Sequence, residues 1–249
     1  AEAKEVLDVM RLDSSQQYGY NRYLDYLHFK ASEALSLQIE AEEKIRKDEK
    51  YKNLVEFAKK TFPPDKFPNL RFRVMDACRL KFERQFDVVF SNAALHWMED
   101  HEAFLRGSAA VLKTGGRLMI SCGGKGNAHD VFLALRPEMR LKRWREYFRG
   151  MAMPYYFYSP VEYEKWLPHA GFRLNSLNLS PKDAIYLGAT GFATWLRTTW
   201  LPFVQRVPET ERDEFITAVT KRYMANHPPD QAGNIHVRMV RLEIDAVKI

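Results

Sequence analysis

Residues 86–100 read FDVVFSNAALHWMED, and the way this run ends decides the fold. From Phe86 to Phe90 it is apolar and β-branched apart from Asp87, the composition of a largely buried strand. It then stops at Ser91-Asn92-Ala93 and passes into His96-Trp97. A strand that serves packing alone usually ends in Gly, Pro or Asp at a turn; this ending is suited to placing a loop against a ligand. Working outward, DHEAFLRGSAAVLK (100–113) sets Ala103, Phe104, Ala110 and Val111 on one helical face. GGRLMISCGG (115–124) is a second strand bounded by glycine pairs. Strand, helix, strand at this spacing predicts a right-handed crossover and hence a parallel α/β sheet.

LRFRVMDA (70–77) alternates and predicts a further strand, ending at Asp76-Ala77. Beyond residue 128 the pattern turns helical. HDVFLALRPEMRLKRWREYF carries a Pro137 interruption, and SPVEYEKWLPHAGF opens with Ser159, Pro160 and Glu162, the N-cap, N1 and N3 residues of a capping box. GATGFATWLRTTWLPFVQRV and PETERDEFITAVTKRYMANH predict two more helices split near Pro208. The closing VRMVRLEIDAVKI (237–249) alternates as a long strand. It is expected to be antiparallel at the sheet's edge, because no crossover helix follows it, with FRLNSLNLSPKDAIYL (172–187) as its hairpin-like partner. The reading is one domain over residues 1–249, with residues 128–232 contributing a helical lid.

The composition of this 249-residue chain, 46% apolar and 28% charged, is that of an ordinary globular protein able to bury a full core. No apolar run approaches the roughly 18 residues of a membrane span and no signal-peptide pattern opens the chain. Cys78 and Cys122 lack metal-ligand spacing and read as reduced core thiols of a cytoplasmic protein. Much of the +6 net charge falls in RPEMRLKRWREYFRG (136–150), where six Arg or Lys residues share a predicted helix. That helix is either a solvated face or an electropositive rim for anionic substrates. The basic residues form no long stripe and no nucleic-acid motif accompanies them, so neither nucleic acid nor membrane is an expected partner.

Open α/β sheets bind ligands at the carboxyl ends of their strands. Two such ends are legible, Asp76-Ala77-Cys78 and Ser91-Asn92-Ala93. A carboxylate at the first can accept from the amino group of a heterocycle, and exposed backbone at the second can clasp a small polar ligand. Each residue also has a local reading, Asp76 as the cap of a turn and Asn92 as an Asx turn. Together they point to a nucleotide-like ligand.

The stretch FDVVFSNAALHWMEDHEAFLRGSAAVLKTGGRLMIS, with VMDA before it and YFYSPVEYEKWLPHAGF, WLRTTWLPF and VRLEIDAVK after it, resembles the class I S-adenosylmethionine-dependent methyltransferases, in particular their trans-aconitate methyltransferase-like and malonyl-carrier-protein methyltransferase groups. The resemblance covers roughly residues 54–249. It implies a Rossmann-like, mostly parallel sheet with helices on both faces, an antiparallel C-terminal edge strand and a helical lid insertion. It implies S-adenosyl-L-methionine as cofactor, with Asp76, Ala77, Ser91, Asn92 and Ala93 in its site. SSQQYGY (14–20) looks like the family's N-terminal helix start, and Gln17 then closes over the cofactor. The chain departs from the family where a glycine-rich loop and a second strand are expected: no glycine lies between Gly19 and Gly107, and EALSLQ (33–38) puts Ser36 at the acid and Gln38 at the first glycine. Two accounts stand. Either residues are missing from the sequence at joins near Gln38 and Asp48, or half of the cofactor site is absent. An intact mass near 29.2 kDa removes the first account.

For the reaction, His96 is a candidate general base, since an ordinary imidazole titrates near neutrality, or else a packing or loop-bonding histidine. GGKGN (123–127) reads as the loop after the second strand, facing a substrate cavity. Trp97, Tyr155, Tyr156, Trp195 and Trp200 are candidate pocket aromatics, and Arg197 a candidate clamp for a substrate carboxylate. The expected function is methyl transfer to a small anionic, carboxylate-bearing molecule by a monomer or homodimer. The alternative is a methyltransferase-like binding protein without catalysis.

Overall fold

The computed structural model describes residues 49–82 and 86–249, all within one unit, residues 36–249. The expectations placed on Gln17 and on residues 33–38 lie outside the described residues. After helix α1 (Glu49–Thr61), the decisive stretch folds as read. Strand β1 (Phe86–Asn92) pairs in parallel with β2 (Leu112–Gly123), and α2 (His101–Val111) crosses between them. The helix starts where Asp100 Oδ1 accepts the Ala103 N–H at 2.8 Å, which satisfies one of the free donors at a helix N-terminus. Its buried side, Phe104, Leu105, Ser108 and Val111, follows helical spacing.

The remaining elements are α3 (His129–Arg140), α4 (Pro160–His169), β3 (Phe172–Leu187), α5 (Gly188–Thr199), the short α6 (Leu201–Val204), α7 (Arg212–Asn226) and β4 (Asn234–Lys248). The capping box at Ser159 is present: Glu162 accepts the Ser159 N–H at 2.8 Å, with Pro160 in the first turn.

The described sheet is open and mixed, ordered β1-β2-β4-β3. Both pairings of β4 are antiparallel. The C-terminal strand has the expected direction but not the expected place, since β3 takes the edge and β4 lies inside. A long strand offers two backbone edges. β2 pairs with one over Arg241–Val247, and β3 pairs with the other along its whole length. The missing crossover helix fixed direction and said nothing of position.

Two other expectations are corrected. Residues 70–76 form no ladder among the described residues; Asp76 instead caps a 3-10 turn, Ala77–Arg79. Alternation is necessary for a half-buried strand, but only a neighbouring backbone makes one. The basic segment 136–150 is not one helix either. α3 stops at Arg140, and a 3-10 turn, Arg145–Phe148, follows. The anchors there are apolar, Trp144 and Phe148 packing on Phe215 at ring distances of 5.3 and 5.4 Å.

Two buried clusters result. One lies between the sheet, α2 and α4, and includes Val89, Leu105, Leu118, Ile120, Tyr163, Leu242 and Ile244. The other gathers α3, α5, α6 and α7 on the tip of β4, with Val131, Phe192, Phe203, Phe215, Tyr223, Ile235 and Val237. Since side chains alternate along a strand, Ile235 and Val237 face one side of β4 and Leu242 and Ile244 the other. The strand serves a different core on each face.

Candidate active site

The end of β1 turns sharply. Ala93 has φ 55°, a left-handed conformation uncommon outside glycine, and its N–H donates to the Ser121 carbonyl at 2.7 Å. The chain then forms a 3-10 turn, Leu95–Trp97, which presents His96 beside the end of β2. His96 Nδ1 accepts the Gly123 N–H at 3.3 Å, and the His96 carbonyl accepts the Tyr156 N–H at 2.8 Å. The imidazole lies among Trp97, Phe157 and Tyr155, with ring centroids 5.7, 5.9 and 6.2 Å away. Burial, then the positive charge of Arg241, then His101 hold the His96 pKa down to about 4. Its ring is neutral at pH 7, and because Nδ1 accepts, the proton sits on Nε2.

A buried polar chain supports this turn. His101 Nε2 is 2.7 Å from the Leu95 carbonyl and Nδ1 is 2.5 Å from the Tyr163 hydroxyl. A carbonyl only accepts, so Nε2 carries the proton and Nδ1 accepts from the Tyr163 hydroxyl, beside which the Cys122 thiol lies. Burial holds every member in its neutral form: His101 is lowered to about 4, Cys122 raised to about 12 and Tyr163 raised well above its ordinary value.

Beyond β2 the backbone runs too close to its neighbours for side chains. A Cβ on Gly123 would stand 2.8 Å from both Asn127 Nδ2 and Phe157 Cε1, and one on Gly124 would stand 3.0 Å from Leu242 Cβ. The Asn127 side chain accepts the Val240 N–H at 2.8 Å, tying this loop to β4. A cavity of about 160 Å³ opens there, lined by Gly126, Asn127, His129, Phe132, Arg136, Met153, Tyr155 and Phe157.

The expected site residues separate into those the fold brings together and those it does not. Asn92 and Ala93, at the strand end, and His96, Trp97 and Tyr156, in or against the turn, come together. Ser91 does not share that crevice through its side chain. Only 1% exposed, it points with Val89 into the core, because alternate residues of a strand share a face. Ala77 is also core, at 1% exposed. Asp76 is buried, and its Oδ1 accepts the Cys78 N–H at 3.0 Å, which fixes the carboxylate's orientation. Trp195 stacks on Tyr186 at 4.9 Å and meets Trp200 at 5.8 Å, on the cluster under α3, α5, α6 and α7 that Trp97 also packs against. Arg197 pairs with Asp213 of α7 at 2.6 Å, so the expected substrate clamp grips the chain's own carboxylate. Sequence reasoning missed Arg241 and Phe157. A signal for Arg241 existed: with Leu242, Ile244 and Ala246 as core, alternation puts Arg241 on the other face.

Residues 33–120 match the methyltransferase domain family. The chain is 26% identical over 197 residues to the trans-aconitate 2-methyltransferase of Agrobacterium fabrum, covering 74% of this chain and 72% of that protein. It is 33% identical over 106 residues to an uncharacterized methyltransferase of Schizosaccharomyces pombe, covering 41% of this chain and 40% of that protein's length. The fold superposes on loganic acid methyltransferase with a TM-score of 0.53 at 13% identity, over 70% of this chain and 65% of the other. The chain is thus similar to methyltransferases.

In class I methyltransferases the cofactor is S-adenosylmethionine. Asp76 supplies an oriented buried carboxylate, and Asn92 and Ala93 supply main chain at a strained strand end. Among the described residues no helix is long and apolar enough to cross a membrane.

Proposed function

We propose that the protein transfers a methyl group from S-adenosylmethionine to a carboxylate oxygen of a small anionic molecule. One observation carries the choice of acceptor: the imidazole at the mouth of the site, His96, is held neutral with a pKa of about 4 and with Nδ1 engaged by Gly123. Such a ring is a poor base near pH 7, whereas a carboxylate is already anionic and needs none. The trans-aconitate 2-methyltransferases among the relatives support the same substrate class.

In this reading Asp76, Asn92 and Ala93 hold the adenosyl group and the cofactor supplies an activated methyl on its sulfonium. Gln17 is proposed to close over that site. The protein's part is alignment and exclusion of water. His96 donates from Nε2 to an acceptor oxygen, and Trp97, Tyr155, Tyr156 and Phe157 wall the site. The helices between residues 128 and 232 form the lid that selects the acceptor.

The test is methyl-labelled S-adenosylmethionine offered with a panel of di- and tricarboxylates, phenols and amines, followed by alkaline treatment. Ester products release labelled methanol, and ethers and N-methyl products do not. A labelled product stable to base refutes the carboxylate reading. If S-adenosylhomocysteine at saturation leaves the melting temperature unmoved, the binding protein without catalysis is the correct reading.

A further inference from the structure

We infer that Arg241, together with His96 Nε2–H, forms a subsite for a second carboxylate of the methyl acceptor, so that the substrate is a di- or tricarboxylate. The inference rests on the carboxylate reading above and adds a residue and a charge count to it.

Arg241 lies in β4 opposite Gly123 of β2 and Ser180 of β3. By strand alternation it continues the row Ile235, Val237, Met239, the row that packs under the lid helices. It therefore stands where the lid cluster meets the carboxyl ends of β1 and β2. Of the other arginines of the region, Arg238 pairs with Asp130 at 3.4 Å and Arg117 with Asp245 at 2.6 Å, while Arg136 lines the cavity beside Gly126 and lies over the Phe132 ring. Arg241 is half-buried and makes no hydrogen bond or ion pair with any described residue. The acid nearest along its own face, Glu243, is two residues away, about 6.8 Å between Cα atoms, and the two do not pair.

The guanidinium charge is nevertheless felt at the site, where it acts on both the His96 ring and the Cys122 thiol. His96 has its Nδ1 committed to Gly123, and Nε2–H has no acceptor among the described residues. A planar five-donor cation beside a fixed neutral N–H donor is the donor set of a carboxylate receptor. Tyr155 and Phe157, whose rings lie 6.2 and 5.9 Å from His96, also line the cavity with Asn127, His129 and Arg136, and that cavity has room for the carbon skeleton joining two carboxylates. Arg241 is thus a binding residue; the transferred methyl goes to the other carboxylate.

The test is calorimetric titration of tricarballylate, a saturated tricarboxylate, into the protein saturated with S-adenosylhomocysteine at pH 7.5. The wild-type protein should bind it, Arg241→Gln should bind at least 10-fold more weakly, and Arg241→Lys should fall between, all with unchanged affinity for S-adenosylhomocysteine. The neutral trimethyl ester should not bind. The His96 imidazole NMR signals should move on titration in the wild type and stay still in Arg241→Gln, a readout that does not depend on turnover. If Arg241→Gln melts below the assay temperature, the Arg241→Lys comparison and the ester control decide. Equal affinity in wild type and variants overturns the subsite and leaves the carboxylate reading standing. No binding by wild type at millimolar tricarballylate overturns both.

Discussion

The Gly123 main-chain N–H donates to His96 Nδ1 at 3.3 Å. This single bond joins the turn after β1 to the last residue of β2, and it fixes the tautomer of the ring at the centre of the site. With Nδ1 accepting, His96 offers a proton from Nε2 and no lone pair to a nucleophile. The following expectations are drawn from that geometry and from the packing around it.

Turnover should depend little on pH from about 5.5 to 8, because His96 is already neutral and the acceptor carboxylate already charged in that range. His96→Gln, which keeps a donor, should lower turnover by less than about 10-fold, against the 10²–10⁴ expected for removal of a general base. A rate that climbs through a group near neutrality, and falls steeply in the variant, would mean that His96 takes a proton from the acceptor.

Stability should fall as pH drops from 6.5 toward 4. His96 and His101 both have folded pKa values lowered to about 4 from an ordinary 6.5, so in this window the unfolded chain binds protons that the folded chain refuses. Their contribution is fully present above 6.5 and is lost as pH falls, at up to about 1.4 kcal/mol per pH unit for each histidine. His236 works the other way. Its pKa is raised by Asp183 and Asp230, so its contribution is present below its unfolded pKa and lost as pH rises through the folded one. Thermal unfolding from pH 4.5 to 8 should show the acid slope, and His96→Gln should reduce it.

Asp76→Asn should weaken S-adenosylhomocysteine binding by roughly 1.5–3 kcal/mol, the range for a hydrogen bond to a charged group. An asparagine oxygen still accepts the Cys78 N–H, so the melting temperature should hold. Asp76→Ala should lower both. Calorimetry that finds the Asn variant binding as tightly as wild type removes Asp76 from the cofactor site.

Arg222→Ala should destabilise the packing of α7 on α3 by about 1–3 kcal/mol. Its partner Glu138 has a side chain only 6% exposed and pairs with Arg222 at 2.6 Å, while Arg222 itself is 40% exposed; the loss is therefore smaller than for a fully buried pair. The double variant Glu138→Met with Arg222→Met should recover most of it, since no stranded charge remains. Urea unfolding of the three variants decides. A double variant as unstable as the single one would show that the pair contributes by more than mutual neutralisation.

The local parts of this fold were legible because their causes are local. Phe86–Phe90 carries its strand in its own side chains, Ser159-Pro160-Glu162 caps a helix through groups three residues apart, and the 100–113 periodicity marks the crossover helix. The failures share one cause. Residues 70–76 alternate like a strand, yet pairing is a property of two segments. β4 was assigned to the edge from the chain's order, but β2 and β3 flank it in space. Arg197 looked available as a clamp until α7 brought Asp213 to 2.6 Å.

By itself the sequence determined the parallel β1–α2–β2 unit, the small polar residues at its strand ends and the family resemblance, since periodicity, capping and short motifs act over a few residues. Only the tertiary structure decided the chemistry available to them. It buried Ser91, set His96 against Gly123 with a pKa of about 4, and brought Arg241 from a strand over a hundred residues away to the same corner. A side chain's protonation and partners depend on burial and on charges brought close by folding, and no local pattern encodes either.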